Sequence, residues 1–306
     1  MRELTIGTRR IADEEPCFVI AEAGHNHGGD VKVAVQMIKA AAAAGASAFK
    51  LQKRNNQKLY SQGLLNQPYD HEHSYGKTYG EHRAALELGF PAYVSCRTMA
   101  LNYRLQFFAT AFDERSADFL MELGVPAIKI ASGGLTDRPL LSYVSTLGVP
   151  IMLSTGGGTE SDIDRAVQWI TAQTSQLALL HCTAAYPVTD YRELNLRYIG
   201  VLRQRYPELV IGWSGHTPGL SSALIAYAFG ARIIEMHFTL SRAGKGTDHG
   251  FSLEPKGLQT LVEDLEKARL SIGDGVKVFY PSERKPISKM RRTEQEDGTW
   301  LIDGQR

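Results

Sequence analysis

The sequence predicts a (β/α)₈ barrel, the TIM-barrel fold, occupying residues 1–286 as a single domain. Eight short apolar runs alternate with amphipathic stretches over about 250 residues, which is the element count and spacing of such a barrel. The first apolar run is followed by the polar segment EAGHNH, where a doubly wound sheet usually has a glycine-rich phosphate turn. The barrel is therefore favoured over the doubly wound sheet, which is the competing architecture.

The individual elements follow from hydrophobic patterning along the chain. The predicted strands are 17–21, 48–51, 107–112, 127–131, 150–153, 177–181, 210–213 and 232–236. The predicted helices between them are 31–44, 114–123, 160–172, 194–205, 219–229 and 255–271. Ser161 and Asp162 place typical capping residue types at the start of the helix 160–172.

One stretch, from Lys53 to Leu105, interrupts the alternation. It is rich in Tyr, His, Asn and Gln, and it predicts a long loop after the second strand with an irregular helix near 79–88. Loops of this length in a compact domain are usually lids or binding loops, and a surface insertion without function is the alternative. Residues 287–306 predict a short polar tail rather than another domain.

Composition narrows the class of protein. The chain has 34 Lys+Arg and 33 Asp+Glu, and the resulting net charge of +1 argues against a nucleic-acid-coating or polybasic membrane-surface protein. No apolar run reaches the roughly 18 residues of a membrane span, and no apolar segment follows the first ten residues as in a signal peptide. The 3 cysteines form no CxxC pair, which argues against a disulfide framework. We therefore expect a soluble cytoplasmic protein.

Polar residues recur at the carboxyl end of each predicted strand, where TIM barrels build their active sites. In chain order these are Glu22; Lys50 and Gln52; Thr110 and Asp113; Lys129 and Ser132; Ser154 and Thr155; His181 and Thr183; Ser214 and His216; and Glu235 and His237. Polar ends on every strand predict one convergent polar pocket.

Two lysines in this set indicate an anion site. Lys50 and Lys129 each follow an apolar run, so their charges would be half buried and would need a partner of opposite sign. With Ser132, Ser154 and nearby glycines they suit a phosphate or carboxylate, and salt bridges to Glu22 or Asp248 are the alternative.

Two histidines indicate a metal site. His216 and His237 end neighbouring strands and could direct imidazole nitrogens at one divalent ion with open coordination positions. Two hydrogen-bonded core histidines are the alternative. Glu22 and Asp248 could act as general acid or base, or could orient a metal-bound water.

At these residues the sequence resembles the sialic acid synthase (N-acetylneuraminate synthase) family. The resemblance runs from Phe18 to Pro286 and rests on the blocks CFVIAEAGHNHGG, FKLQ, KIASG, LSTGG, LLHCTAAYP, GWSGHTPG, IIEMHFTL and GTDHGFSLEP, which occur in the family's order. It implies a TIM barrel that condenses phosphoenolpyruvate with an aldose, giving a 2-keto-3-deoxy sugar acid and inorganic phosphate. It also implies a divalent metal, Mn²⁺ first and Mg²⁺ or Co²⁺ as alternatives, and a homodimer or higher homo-oligomer.

The resemblance assigns roles to individual positions. Phosphoenolpyruvate would be held by Lys50, Thr110, Lys129, Ser132, Ser154 and Ser214. The metal would be held by His216 and His237, with His237 also counted among the catalytic residues. Glu22 and Asp248 would be the acidic catalytic pair, and Gln52 and Tyr186 would help to place the substrates.

The sequence also departs from the family. Gly134 stands where a Glu commonly contacts the acceptor sugar, which implies an acceptor other than N-acetylmannosamine and room for a bulkier sugar. Gly215 replaces a usual Asp, and Ala184 replaces a residue that is often polar. The C-terminal antifreeze-like (SAF) domain, which supplies an arginine to the partner's sugar site in well-known members, is expected to be absent, as in a subgroup without it.

Rival functions remain open at this point. A phosphoenolpyruvate aldol synthase of the KDO 8-phosphate or DAHP type would take a phosphorylated aldose and would need extra basic residues, which Arg54, Arg83, Arg97 and Arg104 could supply. A metal-dependent retro-aldolase is a more distant alternative hypothesis. A catalytically silent ligand-binding barrel is the rival from another class, with Gly134 and Gly215 in its favour.

Overall fold

The chain begins with a two-stranded hairpin, which precedes a closed barrel of eight parallel strands. The computed structural model describes residues 2–302 and 304. The hairpin strands are β1 (Glu3–Ile6) and β2 (Arg9–Ala12), which pair antiparallel. The barrel strands are β3 (Phe18–Glu22), β4 (Ala48–Lys53), β5 (Gln106–Ala111), β6 (Ile128–Ile130), β7 (Ile151–Ser154), β8 (Leu177–Cys182), β9 (Val210–Gly215) and β10 (Ile233–His237), with β10 closing on β3. The predicted (β/α)₈ fold is confirmed.

Helices follow the barrel strands along the chain. They are α1 (Val31–Ala43), α2 (Asn56–Leu59), α3 (Gln62–Leu65), α4 (Tyr79–Leu86), α5 (Phe90–Asn102), α6 (Glu114–Leu123), α7 (Arg138–Val144), α8 (Glu160–Thr171), α9 (Tyr198–Arg205), α10 (Ser221–Ala228), α11 (Pro255–Ile272) and α12 (Arg284–Ser288). Single 3₁₀ turns occur at Ser132–Gly134, Tyr191–Leu194, His249–Phe251 and Pro281–Glu283. Among residues 2–302 and 304, no helix is long and apolar enough to cross a membrane.

The chain divides into two compact units, Met1–Arg269 and Leu270–Arg306. The first contains the hairpin and the barrel. In the second, β11 (Thr293–Glu294) and β12 (Trp300–Leu301) form a short antiparallel hairpin. The assignment of a barrel domain to 1–286 and of a tail to 287–306 stays a prediction.

The register of the barrel strands sets the positions of the polar side chains. Every residue of β3 and β5 is buried, as expected for parallel strands covered on both faces. Glu22 at the end of β3 is paired in register with His237 of β10 on one side and with Lys50 of β4 on the other. Further round, Thr110 of β5 is in register with Lys129 of β6. The sheet itself therefore assembles the strand-end groups at one rim.

The structure corrects three local predictions. The segment after β4 contains α5 as well as α4, so it is less loop-like than predicted. Helix α7 was not predicted at all. Thr159, rather than Ser161, caps α8, because its side chain accepts from the backbone N–H of Asp162 and the Asp162 carboxylate accepts in return.

Candidate active site

A cavity of about 350 Å³ opens at the carboxyl ends of the barrel strands. The twelve residues predicted for the site all line it: Glu22, Lys50, Gln52, Thr110, Lys129, Ser132, Ser154, Tyr186, Ser214, His216, His237 and Asp248. Glu235 lines it too, although it was predicted only as a polar residue at a strand end. One pocket thus collects groups that lie up to 226 positions apart in the chain, from Glu22 to Asp248.

Not every strand-end polar residue faces this cavity, so the expectation of a single pocket is too broad. His181 contacts the carbonyl oxygen of Leu194 at 2.7 Å and, with Thr155 and Thr183, lines a neighbouring cavity. Asp113 caps α6 by accepting from the N–H of Ser116. Side-chain direction, which alternates along a strand, separates these residues from the central set.

Lys50 lies at the centre of a buried polar network. Its ammonium nitrogen is 2.5 Å from Glu22 Oε2, donates to Thr110 Oγ1 at 2.7 Å, and is 3.7 Å from Glu235 Oε2. The lysine is 2% exposed, so its charge depends on these groups rather than on water. The salt bridge to Glu22 named above as an alternative is therefore present, whereas Asp248 lies beside His237 instead.

Lys129 occupies the matching position across the network. Its Nζ donates to Ser154 Oγ at 2.6 Å and lies 3.8 Å from Glu235 Oε1, which also accepts from Ser214 Oγ at 3.0 Å. Burial lowers the pKa of Lys129, and the Glu235 carboxylate opposes that effect. Burial would raise the pKa of Glu235, but Lys129, Lys50 and the Ser214 hydrogen bond outweigh it and lower that pKa to about 2. The network is two ammonium groups held by two carboxylates.

The hydroxyl of Ser132 lies on the wall of the same cavity. Its Oγ accepts from the backbone N–H of Gly156 at 3.0 Å. A Cβ at Gly156 would lie 2.7 Å from that oxygen, so a larger residue there would displace it. Gly156 therefore fixes the position of the Ser132 hydroxyl at the cavity wall.

His216 and His237 form the opposite side of the cavity, with ring centroids 5.4 Å apart. His216 Nδ1 lies 3.0 Å from the carbonyl oxygen of Thr183, to which it donates in the neutral tautomer, so its Nε2 is left as an acceptor. Burial, followed by the neighbouring His237, lowers the pKa of His216 to about 4. His237 Nδ1 is buried without a hydrogen-bond partner and lies 3.6 Å from Asp248 Oδ2.

This arrangement fits a divalent ion held by two imidazoles with open positions, not a closed structural site. Neutral imidazole is the form that binds metals, and an unpartnered buried ring nitrogen is available. Within the described ranges, no cluster of three or more His, Cys, Asp or Glu side chains could hold a metal on its own. Gly24 has a φ of +53° and no side chain, which leaves room for the Asp248 carboxylate. A Cβ at Gly24 would lie 2.5 Å from Asp248 Oδ2.

Tyr186 covers the histidines from the solvent side. Its ring centroid is 4.2 Å from that of His216 and 6.4 Å from that of His237, and it is 54% exposed. Partial desolvation, followed by the nearby acidic groups, raises the pKa of Tyr186, so the phenol stays neutral.

Beyond Glu22 the cavity wall carries Gln52 and further polar residues, of which Arg54 and Arg83 were predicted only for the rival function with a phosphorylated aldose. Gln52 Nε2 donates to Glu22 Oε1 at 2.7 Å, and Gln52 Oε1 accepts from Arg54 at 2.5 Å. Arg54, Arg83 and His25 continue this wall. The two-residue alternation that groups Lys50 with Gln52 extends to Arg54, which accounts for its place on the same wall. Of the four arginines considered for a second phosphate, Arg97 and Arg104 line a different cavity beside Gly7 and Gln106, so that part of the prediction is wrong.

The departures from the family pattern have structural explanations. Gly134 lies outside the lining of the central cavity, and a Cβ on it would meet Ile130 Cγ2 at 2.7 Å. The expectation of added room for the sugar is therefore wrong, because that direction leads into packed side chains. A Cβ at Gly215 would lie 2.1 Å from the ring of Trp213, which fills the space. Ala184 lines the neighbouring cavity.

Comparison with known proteins agrees with this geometry. The model of the NeuB family matches residues 37–277. The N-acetylneuraminate-9-phosphate synthase of Mus musculus is 36% identical over 285 residues, covering 93% of this chain and 79% of that protein. The N,N'-diacetyllegionaminic acid synthase of Campylobacter jejuni is 35% identical over 280 residues, covering 90% and 83%.

A crystal structure is similar over the whole barrel. The N-acetylneuraminic acid (sialic acid) synthetase of Leptospira borgpetersenii superposes with a TM-score of 0.82 at 34% identity, covering 94% of this chain and 95% of that one. Family match, sequence identity and fold thus agree, and the chain belongs to the NeuB family of sialic acid synthases.

Proposed function

We propose that this enzyme condenses phosphoenolpyruvate with the open-chain aldehyde of an N-acylated aldose. C3 of phosphoenolpyruvate bonds to the aldehyde carbon, water adds at C2, and the C2–O bond to phosphate breaks. The products are a 2-keto-3-deoxy sugar acid of the nonulosonate type and inorganic phosphate. The observation that carries the proposal is the buried Lys50–Lys129 network facing the His216–His237 pair across one cavity.

The lysine side of the cavity would hold phosphoenolpyruvate. Its phosphate and carboxylate would take hydrogen bonds from Lys50, Lys129 and the hydroxyls of Thr110, Ser132 and Ser154. Charge-assisted bonds of this kind are short and strong, and they fix orientation as well as affinity. Holding the enol carbon against the aldehyde then converts a bimolecular reaction into an effectively unimolecular one.

The two carboxylates near the aldehyde would have different tasks. Glu22 is held by Lys50, Gln52 and the N–H of Gly24, so it would orient groups and balance positive charge. Asp248 accepts a hydrogen bond from Thr247 Oγ1 at 3.1 Å and, within residues 2–302 and 304, has no lysine nitrogen within 4.0 Å. Asp248 is therefore the better placed of the two to exchange a proton with the sugar oxygen or with the attacking water.

We also propose that His216 and His237 hold a divalent cation, with Mn²⁺ as the first candidate and Mg²⁺ or Co²⁺ as alternatives. When bound, the ion would supply Lewis-acid stabilisation of the negative charge on the aldehyde oxygen. Treatment with EDTA is expected to abolish phosphate release, and Mn²⁺ is expected to restore it. Full activity of metal-free protein would contradict this assignment.

The condensation is tested by incubating phosphoenolpyruvate with a panel of free and phosphorylated aldoses. We expect acceptor-dependent release of inorganic phosphate, and a product whose mass equals the sugar plus phosphoenolpyruvate plus water minus phosphoric acid. Stabilisation by phosphoenolpyruvate without turnover on any acceptor would instead support the silent barrel.

Location and assembly are part of the proposal. Cys17, Cys96 and Cys182, all in the described part of the chain, are free thiols, which supports a reducing compartment such as the cytoplasm. A homodimer or higher homo-oligomer is expected from the family resemblance, and light scattering after size exclusion tests it.

A further inference from the structure

Two guanidinium groups lie on the cavity wall beyond Gln52, apart from the lysine network. We propose that Arg54 and Arg83 form the binding site for a phosphate ester carried by the acceptor sugar. This inference rests on the condensation proposed above and adds the chemical class of the aldose, a sugar phosphate. The observation behind this proposal is that two guanidinium groups lie close together in the cavity and that the carboxylates near them do not balance their two positive charges.

Arg54 is fixed but incompletely partnered. It is 6% exposed, its guanidinium stacks on Phe112 at 3.8 Å from the ring centroid, and its Nη2 donates to Gln52 Oε1. Its Nη1 lies 3.0 Å from His25 Nε2, and the nearest carboxylate oxygen, Glu87 Oε1, is 3.9 Å away. Its Nε–H is buried without a hydrogen-bond partner. A buried N–H of this kind costs free energy until an acceptor reaches it.

Arg83 approaches the same point from the insertion. Its Nε donates to the Tyr79 hydroxyl at 2.8 Å, and its charge lies over the Tyr79 ring at 4.8 Å from the centroid. Its Nη1 is 3.4 Å from His25 Nε2, the atom that Arg54 also contacts. Over residues 2–302 and 304, Arg83 has no carboxylate within 4.0 Å. The tyrosine fixes the side chain without neutralising it.

His25 holds the two cations together without compensating their charge. Burial, with Arg54 and Arg83 next in effect, lowers the pKa of His25 well below its usual value, so the ring is neutral and Nε2 accepts from both guanidinium groups. Two like charges that share one neutral acceptor repel each other, and a dianion placed between them removes that repulsion. Guanidinium groups also match a phosphate with paired N–H donors.

The anion that fits belongs to the sugar rather than to phosphoenolpyruvate. Lys50 and Lys129, with the hydroxyls around them, already offer donors for both anionic groups of phosphoenolpyruvate. Lys50, Gln52 and Arg54 follow one another on a single face at about 6.6 Å per step, twice the rise of a β-strand. A sugar with its aldehyde near Glu22 would therefore extend along Gln52 and present its far end, where a phosphate ester would be, to Arg54 and Arg83.

The test compares N-acetylmannosamine with N-acetylmannosamine 6-phosphate as acceptors. Arg83→Gln removes the cation from a partly exposed helix position, Arg83→Lys retains it, and Arg97→Gln is a matched control in the other cavity. We expect the wild type to prefer the phosphorylated sugar in kcat/KM. Arg83→Gln should reduce that preference by roughly 10- to 100-fold, the value of a hydrogen bond to a charged group. Arg83→Lys should retain part of it, and Arg97→Gln should match the wild type.

Calorimetric binding of the same two sugars and of inorganic phosphate separates this inference from the condensation itself. If no acceptor is turned over but the sugar phosphate binds and Arg83→Gln weakens it selectively, the condensation is wrong and the site assignment stands. Equal kcat/KM for both sugars in the wild type, or an equal loss for both in Arg83→Gln, overturns the assignment. Inorganic phosphate binding as tightly as the sugar phosphate, with the same dependence on Arg83, also overturns it.

Discussion

Lys50 and Lys129 carry charge on residues that are only 2% exposed, and each lies beside a carboxylate. Glu22 lies beside Lys50, and Glu235 lies beside Lys129, so that each positive charge has a negative neighbour. Such a pair stabilises little by itself, because desolvation offsets most of the attraction. Its value is that two cations are already oriented before an anionic substrate arrives.

Lys50→Met tests the anion site at the level of one residue. We expect phosphoenolpyruvate affinity to fall by roughly 10- to 100-fold, since a charged hydrogen bond is lost. Lys53→Met is the control, because Lys53 lies on the same strand but pairs with Glu87 at 2.9 Å outside the cavity. Isothermal titration without acceptor measures both, and unchanged affinity in Lys50→Met would refute the lysine role.

Gly215 and Trp213 are expected to be energetically coupled. Gly215→Ala should destabilise the protein by about 1–3 kcal/mol, because the new Cβ overlaps the Trp213 ring. Combining it with Trp213→Leu should cost less than the sum of the two single changes, because the smaller side chain leaves that space open. Urea denaturation of the four proteins measures the coupling, and additive effects would show that the ring does not occupy that space.

Individual site residues were predictable to the extent that strand alternation fixes side-chain direction. Lys50 and Gln52 follow this rule, and so does His237. Glu235 could not be given a role from sequence, because its meaning comes from Lys50 and Lys129 on other strands. The prediction of added room for the sugar at Gly134 was wrong for the same reason. Sequence position does not show whether a Cβ would face the cavity or Ile130.

At the level of elements, α4 is the part of the insertion that delivers Arg83 to the cavity. Its start is fixed by a capping box, in which Thr78 Oγ1 accepts from the N–H of Glu81 and the Glu81 carboxylate accepts from the N–H of Thr78. A helix of 8 residues has few backbone hydrogen bonds of its own, so the hydrogen bonds of its N-terminal cap contribute much of its stability.

Thr78→Ala should therefore loosen α4 by about 1 kcal/mol. We expect faster hydrogen exchange of the α4 amides and a higher KM for the aldose, with a smaller change in the KM for phosphoenolpyruvate. Thr171→Ala, at the exposed end of α8, is the control. Equal rises in both KM values would mean that the insertion does not act on the sugar selectively.

Most barrel elements were predictable within about two residues because apolar runs and turns alternate so regularly. Helix α5 was missed because its buried residues, Tyr93, Cys96 and Ala100, share the helix with exposed apolar ones, Val94 and Leu101. No polar face then marks the helical period. Only the tertiary packing shows which of these apolar residues are in the core.

On the scale of the whole molecule, Asp13 ties distant parts of the first unit together. Its carboxylate contacts Arg2, Arg203 and Arg232, at 3.2, 2.8 and 3.3 Å. The hydrogen bond from Arg203 is the largest of the effects that lower the pKa of Asp13. Three guanidinium groups that share one carboxylate would repel one another if it were lost.

Asp13→Asn should cost about 1 kcal/mol of unfolding free energy at neutral pH, the upper range for an exposed ion pair. Because the folded state lowers the Asp13 pKa, this contribution is complete above about pH 4, the ordinary range for Asp, and is lost as the pH falls through the lowered value. The two proteins should therefore converge in stability in strong acid. Denaturant unfolding at several pH values measures this, and a difference that persists at the lowest pH would exclude the ionised carboxylate as its cause.

The location of Arg83 outside the eight-strand framework has an evolutionary consequence. The groups proposed to hold the enol phosphate lie on the strands and the turns that directly follow them. Arg83, one of the two residues proposed to bind the sugar phosphate, lies instead on the segment inserted between β4 and β5. Exchange of this inserted segment between homologues would change which acceptor sugar is bound. The residues proposed to act in bond formation would stay the same.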